Sequence, residues 1–479
     1  MTAPVLLWFR QDLRLADNPA LSAAVASGRP VIPLYILDDD EPALGGASRW
    51  WLHQSLAALE KSFATHGQRL ILRRGPAAAV LTSLIGETRA DTIHWNRCYE
   101  PHAFARDTAL KAMLAARGVA VHSQNAALLF EPWTVRTKEG SPFRVFTPFW
   151  RACLASPEPL RPEPAPARIL ASAAWPHSDA LDDWGLLPTD PDWAGGLRAS
   201  WTPGEAGATS RASAFLDEAL NGYARDRDRP DLAATSRLSP HLHFGEISPR
   251  TLWHAVRMQT EAKTTVARDA EKFLSELAWR EFSHHLLFHT PDLPERNLRA
   301  DFDRFPWRDD PNGFRAWTRG ETGYPIIDAG MRELWTTGWM HNRVRMIAAS
   351  FLVKDLLIDW RKGAAWFWDT LVDADRANNN ASWQWVAGCG ADAAPYFRIF
   401  NPVLQGEKFD PEGAYARRWC PELAKLPTRW IHRPFEAPAA VLDEAGVRLG
   451  ENYPAPIVDH GRARSRALAA FDTIKARAA

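Results

Sequence analysis

The chain has 479 residues, 46% hydrophobic and 24% charged, which excludes a peptide-sized module, a fibrous repeat and wholesale disorder and leaves room for two or three domains. Lys plus Arg and Asp plus Glu each total 57, so bulk charge names no polyanionic partner, and any nucleic-acid site must be a local cluster of cations. Cys98, Cys153, Cys389 and Cys420 form no C-x-x-C pair, which argues against a disulfide scaffold or a zinc ribbon, and no metal is expected.

Along residues 1–125, short apolar runs alternate with helical periodicity. The runs Val5–Phe9 and Val31–Leu37, with those at 70–72, 92–95 and 119–122, predict strands; helices are predicted over 48–66 and 101–117. Strand and helix in strict alternation predict a parallel, doubly wound sheet, because parallel neighbours need a crossover. Neither G-x-G-x-x-G nor G-x-x-x-x-G-K-[ST] occurs, so neither a dinucleotide fingerprint nor a P-loop supports NAD or ATP. Nine prolines fall in the 47 residues from Pro157 to Pro203, which predicts a linker wrapping over the surface. From Thr209 onward the pattern is almost wholly helical, with stretches over 211–224, 249–259, 265–289, 324–339, 341–360, 364–372 and 462–479. The expected architecture is an α/β domain at 1–130, an interdomain linker at 131–206 and a larger all-α domain at 207–479. No signal peptide and no membrane span is expected, and the protein is read as cytoplasmic.

Four segments carry candidate chemistry. Thr235, Ser236, Arg237, Leu238 and Ser239 bring hydroxyls and backbone N–H groups to a helix start, a competent phosphate cradle that, taken alone, reads first as a cap. Glu276, Trp279 and Arg280 fall at i, i+3 and i+4, so a carboxylate, an indole and a guanidinium share one helix face, as an ion pair beside a core Trp also would. Asn342, Arg345 and Met346 share another face, and the buried-charge penalty demands partners for Arg343 and Arg345, with Asp373 and Asp375 as candidates; His341 reads as a cap. The run 373–385 holds two carboxylates (Asp373 and Asp375), Asn379 among three consecutive amides, and the indoles Trp383 and Trp385. It is too polar for a core strand and too aromatic for a solvent loop, and fits a pocket for a heteroaromatic ring. The 23 Trp, against 7 Tyr, add stacking surface and oxidisable rings.

The segments TSRLSP, SELAWREF, GYPIIDAGMREL, GWMHNRVRM, LLIDWR, DADRANNNASWQW and APYFRIFNPVLQGEKFD, with the opening WFRQDLRLADNPAL, resemble the photolyase and cryptochrome family. Within it the chain resembles bacterial cyclobutane pyrimidine dimer photolyases of the class III branch. The resemblance implies FAD in the helical domain. Tyr223 and the run Thr235, Ser236, Arg237, Leu238 and Ser239 would hold its diphosphate region; Arg280, Asn342, Arg345, Asp373, Asp375 and Asn379 would surround the rest, with Arg345 paired to Asp373 and Asn379 facing flavin N5. Glu276, Trp279, Asn342, Arg343, Met346, Trp385 and Gln405 would face the lesion in UV-damaged DNA. Trp383, Trp360 and Trp307 would pass electrons from the surface to the flavin, with Trp366 and Trp368 available to a second branch.

By the same resemblance, light-driven electron transfer to a flipped-out dimer needs no nucleophile or general base, and Glu276 is expected to act as a hydrogen-bond donor to the dimer. Tyr99-Glu100-Pro101-His102-Ala103 lacks the Asn-Glu pair of other folate-binding members, so the antenna expected on the N-terminal domain by resemblance to class III is methenyltetrahydrofolate held by a different residue set, with a deazaflavin as the alternative. A monomer without an obligate protein partner is expected. The rivals are a (6-4) photolyase, which uses His on the helix where this chain has Asn342 and Met346, and a cryptochrome acting in blue-light signalling. Cryptochromes often add a long C-terminal tail and lose the lesion-facing set that this chain keeps.

Overall fold

The computed structural model describes residues 2–393 and 397–475. Its contacts group into two compact units, one of Met1–Ala194, Trp201–Asn221 and Ser236–Pro291, the other of Gly195–Ser200, Gly222–Thr235 and Asp292–Ala479.

The first unit is built on five strands, β1 (Val5–Phe9), β2 (Val31–Leu37), β3 (Ile71–Arg74), β4 (Thr92–Asn96) and β5 (Ala120–Gln124), all paired in parallel in the order β3-β2-β1-β4-β5. The crossovers are α1 (Pro19–Ala26), α2 (Gly46–Thr65), α3 (Ala77–Thr88) and α4 (Pro101–Ala115). Val5 lies in register with both Val31 and Thr92, so β1 is central, and its sequence VLLWF is wholly buried. A strand covered on both faces has no reason to alternate polar residues, which is why β1 reads as a continuous apolar run. All five predicted strands are present, their ends within two residues of expectation.

The proline-rich segment closes the open edge of this sheet. The Leu72 N–H donates to Ser178 Oγ at 3.0 Å, and its carbonyl accepts from the Asp179 N–H at 2.8 Å. Gln68 Nε2 donates to the Ile169 carbonyl at 2.9 Å. An edge covered in this way presents no free ladder to another chain.

The opening motif is architectural. Arg14, buried, donates to the carbonyls of Gly245, Asp17 and Ala126, and Asp17 accepts from Arg250 Nη2 at 2.7 Å. Gly245, at φ +68°, stands so close to the chain after β1 that an added Cβ would lie 2.0 Å from the Gln11 carbonyl oxygen. The helices α5 (Phe146–Ala155), α6 (Pro249–Ala262) and α7 (Ala267–His289) complete the unit, with α5 and α6 packed on α7.

The second unit is helical. Its main elements are α8 (Pro325–Thr337), α9 (Asn342–Ser350), α10 (Trp360–Thr370), α11 (Arg376–Ala387), α12 (Pro402–Phe409) and α13 (His460–Lys475), around a core that includes Ile327, Leu352, Ile358 and Trp360. The single helix expected over 341–360 is broken. α9 passes into a wide π turn at Phe351–Asp355, Leu357 adopts a left-handed φ of 56°, and Asp359 caps α10 by accepting from the Arg361 N–H at 2.9 Å. Apolar periodicity hid the break because the connecting residues 356–358 are themselves buried in the core.

The stretch 211–224 is likewise interrupted by a π turn at Phe215–Ala219, and the run 373–385, read as a mixed polar and aromatic pocket, is mostly the helix α11. Residues 394–396, part of one motif, and 476–479, the end of the last predicted helix, lie outside the described residues. Among the described residues no helix is long and apolar enough to cross a membrane.

Candidate functional site

In the second unit, α9, α10, α11 and the turn before α11 carry many of the singled-out residues. His341 caps α9, its Nδ1 accepting from the Arg343 N–H at 3.1 Å; burial pushes its imidazole down to about 4, which keeps it the neutral ring an acceptor must be. Asn342 follows, exposed, and Met346 is half-buried one turn on. Arg345 Nη2 meets the buried Asp373 carboxylate at 2.8 Å and its Nε donates to the Met340 carbonyl at 2.7 Å, so the expected partner is found. Arg343 instead pairs with Asp228, at 2.8 Å.

Asp375 caps α11, accepting from the Asn378 N–H at 2.7 Å. Asn379, half-buried, donates Nδ2 to the Ala364 carbonyl of α10 at 3.0 Å, which leaves its Oδ1 as an acceptor. α10 and α11 pack closely at Gly363, where an added Cβ would lie 2.2 Å from the Trp383 ring. Trp383 is buried edge-on to Phe367 at 5.0 Å. Trp360 is buried, with Nε1 donating to Asn297 Oδ1 at 2.9 Å, whereas Trp307 is half-buried against Phe305 at 4.4 Å. Of the three indoles, then, two are interior and one reaches solvent. Trp366 and Trp368 on α10 are half-buried.

A cavity of about 540 Å³ opens in the same unit, lined by Arg225, Arg229, Arg343, Arg398 and Lys408, with Asp228, Gln405, Phe400 and Phe409. Five cations, one carboxylate and two aromatic rings thus line it, with Arg225 paired to Asp226, Arg229 to Asp231 and Arg343 to Asp228. The Arg343 guanidinium lies 4.5 Å from the Phe409 ring centroid, and that of Arg398 lies 5.4 Å from the ring of Trp385, whose Nε1 donates to the Asp392 carbonyl at 3.2 Å. Sequence reasoning had singled out Arg343, Trp385 and Gln405, and missed Arg225, Arg229, Arg398 and Lys408. The charge run 225–231 reads as a solvated loop, and nothing in local periodicity ties Arg225 to Lys408.

In the first unit, Glu276, Trp279 and Arg280 share one face of α7. Glu276 Oε1 lies 2.8 Å from Lys272 Nζ, one turn back. Arg280 donates Nη1 to the Ala127 carbonyl at 2.8 Å and lies 3.2 Å from Glu281 Oε1. Glu281, which the sequence reading passed over, is fully enclosed; burial pushes its carboxyl up to about 7 against the opposing pull of Arg280 and the N–H groups of Leu129 and Phe130.

Within the 235–239 run, Arg237 has a left-handed φ of 51° and Leu238 follows at φ −89°, ψ −2°. Left- and right-handed residues in succession turn their N–H groups to one side, the geometry of an anion nest. The Arg237 guanidinium itself lies over Trp201, 4.4 Å from the ring centroid. Thr235 and Ser236 are half-buried and Ser239 exposed, while Tyr223, in the second unit, is buried with Arg227 5.7 Å above its ring.

A parallel α/β unit and a helical unit define a two-part α/β and all-α architecture, and comparison with known proteins is specific. Residues 5–167 match the family described as DNA photolyase, and 273–473 match the FAD binding domain of DNA photolyase. A deoxyribodipyrimidine photo-lyase of Agrobacterium fabrum is 57% identical, over 99% of this chain and 98% of its own. Cryptochrome-1 of Arabidopsis thaliana is 42% identical, over 96% of this chain and 69% of that protein. The crystal structure of a bacterial class III photolyase from Agrobacterium tumefaciens superposes with a TM-score of 0.97, covering 99% of this chain and 98% of that one. The chain belongs to the photolyase and cryptochrome family.

Proposed function

We propose that the protein is a deoxyribodipyrimidine photo-lyase, an enzyme that uses light to split cyclobutane pyrimidine dimers in DNA. The observation that carries this reading is the cavity in which five cations stand with Phe400, Phe409 and Gln405: cations suit a phosphate backbone, and rings with an amide suit an unstacked base. The 57% identity to a relative of that name supports it across the whole chain.

The residues present fit FAD. The Asn379 Oδ1, left free by the Nδ2 bond to Ala364, can accept from the N5–H of a reduced ring, and an amide there adds no negative charge beside it. The Arg345–Asp373 pair, Asp375, Asn342, Arg280 and Tyr223 would surround the cofactor, and the turn at Arg237 and Leu238 would take its diphosphate, the Leu238 N–H giving up its present bond to Ser236 Oγ, with Thr235, Ser236 and Ser239 as hydroxyl donors. When bound and reduced, FAD supplies the photoexcited electron that the dimer borrows and returns. The chain's own work is then to extrude, stack and hold the lesion through Trp279, Met346, Trp385, Arg343, Asn342 and Gln405. Glu276 would act on the dimer as a hydrogen-bond donor only once Lys272 has left it. Trp383, Trp360 and Trp307 would carry electrons inward from solvent, with Trp366 and Trp368 available to a second branch.

For the antenna we favour methenyltetrahydrofolate over a deazaflavin. At the carboxyl ends of β1 and β4, the usual ligand site of such sheets, Arg10 meets Asp107 at 2.7 Å and the Asn96 carbonyl, and the residue set holding the chromophore would differ from the Asn-Glu pair that this chain lacks. The domain division at residues 130 and 206, a cytoplasmic location and a monomeric state without an obligate partner belong to the same proposal. The purified protein is expected to show a flavin spectrum and, in the dark, to bind a thymine-dimer oligonucleotide more tightly than its undamaged twin at matched salt. Equal binding of the two would overturn the reading.

A further inference from the structure

We infer that Phe146 is a positioning residue for lesion recognition: by filling one face of Trp279, it fixes the indole with the opposite face offered to a flat heterocycle. This rests on the function proposed above. Phe146 opens α5 and lies flat on Trp279, with ring centroids 3.8 Å apart and planes only 6° from parallel. Aromatic pairs left to themselves prefer offset or edge-on arrangements, with centroids roughly 4.5–7 Å apart. A stack this close and this parallel is therefore held by its surroundings.

Phe282 supplies the clamp. It stands edge-on to both rings, 6.0 Å from Phe146 and 5.8 Å from Trp279, and Phe149 packs behind it at 5.2 Å. Phe146 is buried and Trp279 half-buried. Among the described residues, the rings against Trp279 are these two, one on a face and one at an edge. The indole thus loses its rotational freedom on folding rather than on binding, and a base arriving at the remaining face need not order it. A third flat ring would extend a stack already begun, with Phe146 as its back plate.

The test separates a plate from mere filler. Phe146→Leu keeps an apolar side chain but removes the flat ring; Phe146→Tyr restores it. Leu is expected to weaken binding of a thymine-dimer oligonucleotide roughly three- to tenfold while leaving undamaged-DNA affinity, flavin absorbance and Tm unchanged, and Tyr to restore wild-type selectivity. In a Trp279→Ala background, Phe146→Leu is expected to cause no further loss. If the Leu variant lowers Tm, Phe146→Met serves the same comparison. Wild-type selectivity in the ringless variant, equal loss on both DNAs, or additive loss with Trp279→Ala would overturn the inference. Absence of selectivity in the wild type would sink the functional reading instead.

Discussion

Trp279 and Trp383 are both indoles on helices, yet the structure sets them different tasks. Trp279 is half-buried with one face taken, so it can give its other face to a ligand; Trp383 is buried with Phe367 and Gly363 against it, so it has no face to offer one, and the role proposed for it is electron transfer. Trp279→Ala is expected to lower affinity for damaged DNA by tenfold or more, since stacking a base on an aromatic ring is worth about 1–3 kcal/mol, while FAD stays bound. A salt-controlled titration checks it. Trp383→Phe is expected to abolish photoreduction of oxidised enzyme yet spare repair by enzyme reduced beforehand, which transient absorption and a repair assay distinguish. Arg343→Ala is expected to weaken binding to damaged and undamaged DNA alike and to reduce the salt slope by about one, as loss of a phosphate contact does.

At this scale the sequence showed whatever lies within one helical turn: the α7 triplet, and the Asn342, Arg345 and Met346 face. It hid whatever is assembled across the chain. Phe146 stands 133 positions before Trp279, and Arg225 meets Lys408 around one cavity, with no local pattern to announce either.

Among elements, the contact of α10 with α11 is decisive, because it ties Asn379 to the Ala364 carbonyl and seats the Trp383 ring against Gly363. Gly363 permits it. Gly363→Ala would drive a methyl into Trp383 Cη2 at 2.2 Å and Leu352 Cδ2 at 2.6 Å, so destabilisation by about 1–3 kcal/mol is expected, with slowed photoreduction as the indole shifts. Denaturant unfolding and flavin photoreduction on the same sample check both. The strands were legible because a doubly wound sheet writes itself as short apolar runs between helices. The break between α9 and α10 was not: burial, which the apolar pattern reports, continues through residues 356–358, while the left-handed turn at Leu357 leaves no mark in hydrophobicity.

For the whole molecule, buried ionisable groups set the pH range of stability. Burial pushes His94, His285 and His341 down to about 4 from an ordinary value near 6.5. The unfolded chain therefore binds more protons between those values, and stability falls as pH drops from about 6.5 towards 4. Glu281 has the opposite sign. Its carboxyl is raised to about 7, so its contribution is complete below the unfolded value near 4.5 and is lost as pH climbs through about 7. Glu281→Gln is expected to remove this carboxyl's share of the pH dependence between about 4.5 and 7, so that Tm of the variant falls less than that of the wild type as pH rises across that window. Identical pH profiles of Tm for the two proteins would contradict this.

The central claim is that light, through a reduced flavin held by the helical unit, reverses dimers in DNA. The most direct measurement is to reduce the purified enzyme anaerobically, mix it with an oligonucleotide carrying one thymine dimer, and compare blue illumination with darkness. The account predicts intact thymines in the light, none in the dark, and several oligonucleotides restored per enzyme. A flavin-loaded, reduced enzyme that binds the oligonucleotide and leaves its dimer unchanged under illumination would contradict it.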